Sequence, residues 1–334
     1  MIAQLDSLYM RACPLKVINR LISYAFFEGR PITTKGRWIN PLVFFLFCVE
    51  KKLPQLKRVE KPIFILGTGR SGTTILGLLL SMHRDVGFLN EPKALWHCVY
   101  KYEDLIGNYS QGIAYYRLDA NDVNNEIKRV AHRLYGSYLT VTCSKRVVDK
   151  YPEMVFRVPF VSAIFPDAKF LFLVRNGWDT IQSIGEWTKT HGIKKNEEVH
   201  DWWGQNKRKW YLLVDQVVAH DSIFSKIQHD VRGFTRQTDM AAVEWIVTMR
   251  EGLLLLKQHP ETTKLVRYEE LVKNPRDILT SLIDFCELPP DGTFFEYALK
   301  TLRPAPSRQP VNLHPLIQPL FEETMETLGY PIFS

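Results

Sequence analysis

Eight consecutive residues, Gly67-Thr-Gly-Arg-Ser-Gly-Thr-Thr74, combine three glycines with one arginine and four hydroxyl side chains. Gly69 and Gly72 let the backbone curl until its N–H groups converge on one point, and a helix starting directly after adds the positive end of its dipole. An oxyanion is the natural occupant of such a turn. Arg70 can grip it through two parallel hydrogen bonds, while Ser71, Thr73 and Thr74 donate hydroxyls. The spacing G-x-x-x-x-G is that of ATP and GTP loops, yet Thr73 stands where those loops need lysine. A later apolar run, Lys169–Val174, ends in Arg175 rather than in the acidic residue that would hold magnesium. The loop therefore suits phosphate without the equipment for magnesium triphosphates, the alternative being a plain tight strand-to-helix turn.

Two further positions could serve the same ligand. Arg175 and Ser183 flank the first turns of a helix expected to start near Asn176, a second anion site, unless Arg175 simply pairs with Asp179. Glu91 lies seventeen residues after Thr74, just past the strand-like run Val86–Leu89. That puts a carboxylate on the same sheet edge as the loop, where it could act as a general base or only pair with Lys93 or Arg84.

These residues need a scaffold. Short apolar runs at Ile63–Leu66, Val86–Leu89, Lys169–Val174 and Lys264–Tyr268 alternate with helical patterns at 72–82, 94–105, 122–135, 152–165, 201–220, 239–258 and 275–285. Asn121 is the expected cap of the third helix. The alternation predicts an α/β fold, a central mostly parallel sheet flanked by helices, with ligands beyond the carboxyl ends of the strands. Residues 1–60 read as a helical N-terminal extension and 61–334 as the main domain. Within the extension Pro41–Val49 is the strongest apolar run, about half the length a membrane span needs, so a buried helix is expected there.

The formal charge of +7 suits anionic small molecules, acidic polymers or a negative membrane surface, but the scattered basic residues give no nucleic-acid signature. Five cysteines lie far apart with no C-x-x-C pair, which predicts reduced, mostly buried thiols in a cytoplasmic protein. Neither cysteines nor histidines show metal-ligand spacing, and no metal is expected. Membrane contact is expected to be peripheral at most, and a homodimer is one compatible assembly.

The loop now gains a specific likeness. Arg70-Ser-Gly-Thr-Thr74 resembles the 5′-phosphosulfate loop of sulfotransferases that use 3′-phosphoadenosine 5′-phosphosulfate (PAPS), and Leu173–Ser183 resembles their 3′-phosphate motif. A third block, Val266–Pro275 with Asp284–Pro289, resembles a further conserved region, so the likeness runs from about Pro62 to Asn312. The resemblance implies a P-loop-like sulfotransferase fold, PAPS as co-substrate and an acceptor bearing a hydroxyl: carbohydrate, lipid, tyrosine or small alcohol. The motif spacing is most similar to the protein-tyrosine type. It implies Glu91 as general base, Lys150 beside the bridging oxygen, and Ser307, in Ala305–Asn312, on the transferring group. Tyr268 would lie near the nucleotide, or be a core aromatic. Trp187 stands where that type has another arginine, a contact that Lys189 or Lys194 could replace. Trp187, Trp202, Trp203, Trp210 and Trp245 could wall an acceptor site between Glu91 and residues 187–260, or pack the core. A kinase or NTPase with an aberrant loop, and a non-catalytic nucleotide or polyanion binder, are the rival readings.

Overall fold

A computed structural model describes residues 2–31, 33–34, 36–195, 197–304 and 307–332. Five strands form the central sheet: β1 (Ile63–Gly67), β2 (Val86–Asn90), β3 (Arg146–Lys150), β4 (Lys169–Val174) and β8 (Thr263–Arg267). All pairings are parallel, in the order β2-β3-β1-β4-β8. Three short antiparallel strands, β5 (Ile193–Lys195), β6 (Glu198–Asp201) and β7 (Gly204–Gln205), make a separate small sheet.

Successive side chains of a strand point to opposite faces, so a strand covered on both sides must be apolar throughout. β1 obeys this. Ile63 and Ile65 pack with Leu76, Leu79, Leu282 and Phe294, whereas Phe64 and Leu66 pack with Trp96, Tyr135, Phe172 and Trp245. The helices Thr73–Ser81, Pro275–Phe285 and Gly292–Thr301 thus cover one face. Those at Lys93–Val99, Asn125–Val141, Val158–Ile164, Gly177–His191 and Gln237–Gln258 cover the other. The expected α/β architecture with a parallel sheet is the one observed.

Several local expectations need correction. The helix expected over 94–105 stops at Val99, because Tyr100 is extended and Asp104 gathers the N–H groups of Gly107, Asn108, Tyr109 and Ser110 into a tight loop. The next helix is capped by Asn124, whose side chain accepts from Glu126 and Ile127 N–H, and Asn121 sits in a short 3-10 turn instead. Residues 152–165 divide into a 3-10 segment and the helix Val158–Ile164, with Pro159 in the first turn of the latter. Residues 201–220 hold the end of β6, β7 and the shorter helix Arg208–Gln216. β3 itself was not expected, since Arg146, Asp149 and Lys150 mask its apolar centre. Pro41–Val49 does fold as a helix, Asn40–Glu50, but only half of it is buried: Val43 and Phe47 face the core while Leu42, Phe45 and Val49 face solvent. The cysteines are free, as expected, but Cys286 alone is fully buried and Cys48 and Cys143 are exposed.

Candidate active site

Parallel register brings the strand ends together. Gly67 of β1 pairs with Leu173, and Val174 of β4 with Arg267, so the loop after β1, Arg175 and Tyr268 emerge side by side. On the other flank Asn90 pairs with Lys150, and the Glu91 N–H donates to the Lys150 carbonyl at 2.7 Å. A cavity of about 820 Å³ opens on this edge, and Gly69, Arg70, Gly72, Thr73, Thr74, Glu91, Lys150 and Arg175 all line it. These four separate stretches of chain meet there only because the sheet order interleaves them.

The loop's shape is enforced by its neighbours. Gly72 has φ +100°, and a Cβ there would drive into the Tyr268 ring. Arg70, at φ +70°, and Glu91, at φ +50°, occupy the same left-handed region without being glycine. Strain of that kind persists only where surrounding structure imposes it, and it concentrates at working positions. Ser71 is fully buried, its hydroxyl donating to the Thr68 carbonyl at 2.6 Å, so it braces the loop from within.

Around the loop the cations outnumber their partners. Arg70 Nε donates to Ser183 Oγ at 3.1 Å, and Arg175 donates to the Arg70 carbonyl at 3.3 Å while its guanidinium lies over the Tyr268 ring. Arg175 does approach Asp179, at 3.5 Å, yet Asp179 also accepts from the Arg308 N–H at 2.7 Å, and Arg175 Nε is buried with no partner. Burial, and next the like charge of Arg175, press the Arg70 guanidinium below its ordinary pKa. An orphaned buried donor between two crowded arginines fits an anion with phosphate-like oxygens.

Glu91 and Lys150 form an ion pair at the opposite wall, with Lys93 at 3.4 Å from the other carboxylate oxygen. Burial pushes Glu91 up, but Lys150 and then Lys93 outweigh it and hold the carboxyl below the usual range. Glu91 is therefore an ionised, half-buried acceptor facing the cavity. From it a ladder of alternating charge runs along the cavity wall. Lys93 approaches Glu153 at 3.9 Å, Glu153 meets Lys209 at 2.9 Å, Lys209 meets Glu244 at 2.6 Å, and Glu244 accepts from Trp202 Nε1 at 2.7 Å. Trp202 then lies against Gly69, where a Cβ would collide with its ring.

The sulfotransferase family model matches residues 62–233, just over half of the chain. The chain belongs to the sulfotransferase family. It is 22% identical over 239 residues to nodulation protein NoeE of Sinorhizobium fredii, a match covering 70% of this chain and 51% of that protein. It is 28% identical over 179 residues to a protein-tyrosine sulfotransferase of Drosophila melanogaster, covering 50% of this chain and 35% of that one. Among solved structures, a sulfotransferase of Mycobacterium avium is similar with a TM-score of 0.48 and 14% identity, covering 99% of this chain and 98% of that one. The chain spans 28% to 51% of the length of the first curated relatives it matches.

Within this family member, Ser183 and Tyr268 stand just behind the cavity wall, touching Arg70 and Arg175 respectively. Ser307 is exposed and does not line the cavity; its segment is tied to the helix Gly177–His191 through Arg308, which pairs with Glu186 at 2.6 Å. Ala305 and Pro306 of the same expected loop lie outside the described residues. The tryptophans divide: Trp187 and Trp202 line the cavity, in edge contact at 5.4 Å, while Trp203, Trp210 and Trp245 are fully buried. The sequence offers Lys93 only as a partner of Glu91, and Glu153, Lys209 and Glu244 belong to no motif. Their one signal in the sequence is a charged residue inside an otherwise apolar helical pattern, as at Glu244 in the helix Gln237–Gln258. Among the described residues no three His, Cys, Asp or Glu side chains gather into a cation site.

Proposed function

We propose that the chain moves a sulfuryl group from PAPS to an acceptor hydroxyl in this cavity. The observation that carries the reading is the buried, unpartnered Arg175 Nε beside a phosphate-type loop that lacks the lysine of ATP chemistry. Family membership supports the donor. In this reading Gly69–Thr74 cradle the 5′-phosphosulfate through backbone N–H groups, Arg70 and the threonine hydroxyls. Arg175 and Ser183 hold the 3′-phosphate, with Tyr268 packed under Arg175.

The acceptor oxygen attacks sulfur in line with the bond to the 5′-phosphate. Its proton passes to the Glu91 carboxylate as the new S–O bond forms. The old S–O bond breaks with its electron pair going to the phosphate oxygen, and the 3′,5′-bisphosphate departs. Lys150, paired with Glu91 in the resting site, supplies positive charge to the leaving oxygen. Ser307 takes part only after its segment shifts toward the loop.

Glu91→Gln tests the base. The variant should bind adenosine 3′,5′-bisphosphate with unchanged affinity, while transfer of labelled sulfate from PAPS to a cell extract falls about 10²–10⁴-fold. Unchanged turnover removes Glu91 from the mechanism. Calorimetry tests the donor separately, because tighter binding of Mg-ATP than of the bisphosphate sinks the sulfotransferase reading.

A further inference from the structure

Residues 1–60 carry ten Lys/Arg against four Asp/Glu, so they hold net +6 of the chain's +7. The helix Pro14–Ile22 within this segment is turned the wrong way for a water-soluble surface. It buries Lys16 and Arg20 and presents Leu15 and Ile18 to solvent at 73% and 55% exposure, with Leu21 beside them. The inversion is held in place from inside. Lys16 Nζ donates to the Val86 carbonyl at 2.7 Å, on the edge strand β2, and Arg20 forms a buried ion pair with Glu28.

The next elements repeat the pattern. Trp38 is 83% exposed, and the half-buried helix Asn40–Glu50 shows Phe45 to solvent at 63%. Exposing large apolar side chains while burying a lysine opposes the usual direction of folding. It is consistent with an apolar face that is covered in the working state.

The charge around these side chains says what covers it. Arg11, Arg37, Lys52 and Arg58 are exposed, whereas Glu28 is consumed by Arg20 and burial pushes the half-buried Glu50 up to about 7. Glu60 is the single exposed acid among the segment's described residues. No helix among the described residues is long and apolar enough to cross a membrane. We propose that the helices Pro14–Ile22 and Asn40–Glu50, with Trp38, form a docking face that lies on an anionic lipid bilayer, inserting Leu15, Ile18, Trp38 and Phe45 at the headgroup boundary beneath a rim of arginine and lysine. Insertion without spanning is what an interfacial segment with a basic rim does. The proposal is independent of the sulfuryl-transfer reading.

Co-sedimentation of the full chain with phosphatidylcholine vesicles, with and without phosphatidylglycerol, tests it. The wild-type chain should pellet with the mixed vesicles, remain in solution with phosphatidylcholine alone, and release as salt screens the charges. Leu15→Ser with Ile18→Ser should lower partitioning at least about tenfold, since each leucine-sized side chain contributes more than that factor when fully buried. Phe45→Ser, on the other helix, should act in the same direction. Thermal unfolding of these variants should match the wild type, because the replaced side chains already face water. Three results overturn the proposal: no pelleting with either vesicle, equal pelleting with both, or a concentration-dependent dimer that the same substitutions abolish.

Discussion

Lys209 is the centre of the charge ladder along the cavity wall, and replacing it with methionine is a demanding test of that ladder. The side chain is 4% exposed and reaches Glu153 at 2.9 Å and Glu244 at 2.6 Å. Lys209→Met keeps most of the volume but leaves two buried carboxylates, one with Lys93 at 3.9 Å and one with only the Trp202 N–H. Removing one partner of a buried ion pair costs about 3–5 kcal/mol, most of it from the charge left behind. With an unfolding entropy of about 2.1 cal/mol/K per residue, a chain of this length should lose roughly 4–7 °C in melting temperature.

The pH dependence gives the ladder its sharper test. In the wild type, burial raises Glu153 but Lys209 and Lys93 outweigh it, so its folded pKa is depressed. That stabilisation is present above the unfolded carboxylate pKa and is lost as pH falls through the folded value. In Lys209→Met burial dominates instead, and the folded pKa rises above the unfolded one. The variant therefore recovers as its carboxyl takes a proton, and its deficit should shrink between about pH 7 and pH 5. Urea or thermal melts at the two pH values measure this. A deficit below about 1 kcal/mol, or one that stays constant or grows in acid, refutes the uncompensated-charge account.

Arg175→Ala should weaken adenosine 3′,5′-bisphosphate by about 10–100-fold, the worth of a hydrogen-bonded charge pair, and leave adenosine 5′-phosphosulfate nearly unaffected. Equal losses for both ligands in calorimetry would show that Arg175 supports the loop rather than the 3′-phosphate. Asp149 is fully buried and accepts from Trp96 Nε1 and the Tyr135 hydroxyl, and burial pushes its carboxyl up to about 7. A raised carboxylate contributes stability that is complete in acid and lost as pH rises through that value. Wild-type stability should thus decline relative to Asp149→Asn between about pH 4 and pH 7, by up to about 1.4 kcal/mol per pH unit, and level off above that, and a gap that ignores pH would contradict the assignment.

What could be read from the chain alone was whatever is local. The phosphate loop is one contiguous stretch, and its glycines, arginine and hydroxyls declare an anion without reference to anything distant. β1 and β4 were legible because strands covered on both faces must be apolar along their whole length. β3 was not, because Asp149 and Lys150 look like surface residues until Trp96, Tyr135 and Glu91 are brought against them. Trp202 and Trp203 are adjacent in the chain and identical in type, yet one lines the cavity and the other is core, since the β6–β7 turn that carries both sends Trp202 against Gly69 and Trp203 against Trp210. Residue types and spacing alone point to an oxyanion at the loop, to alternating strands and helices, and to Glu91 as the candidate base. That Lys93, Glu153, Lys209 and Glu244 form one ladder and that Arg175 keeps a donor free emerges only from the packed fold. It alone turned Leu15 and Ile18 outward. Such pairings join residues dozens of positions apart, and the order in which strands pack, rather than any spacing along the chain, determines which of them meet.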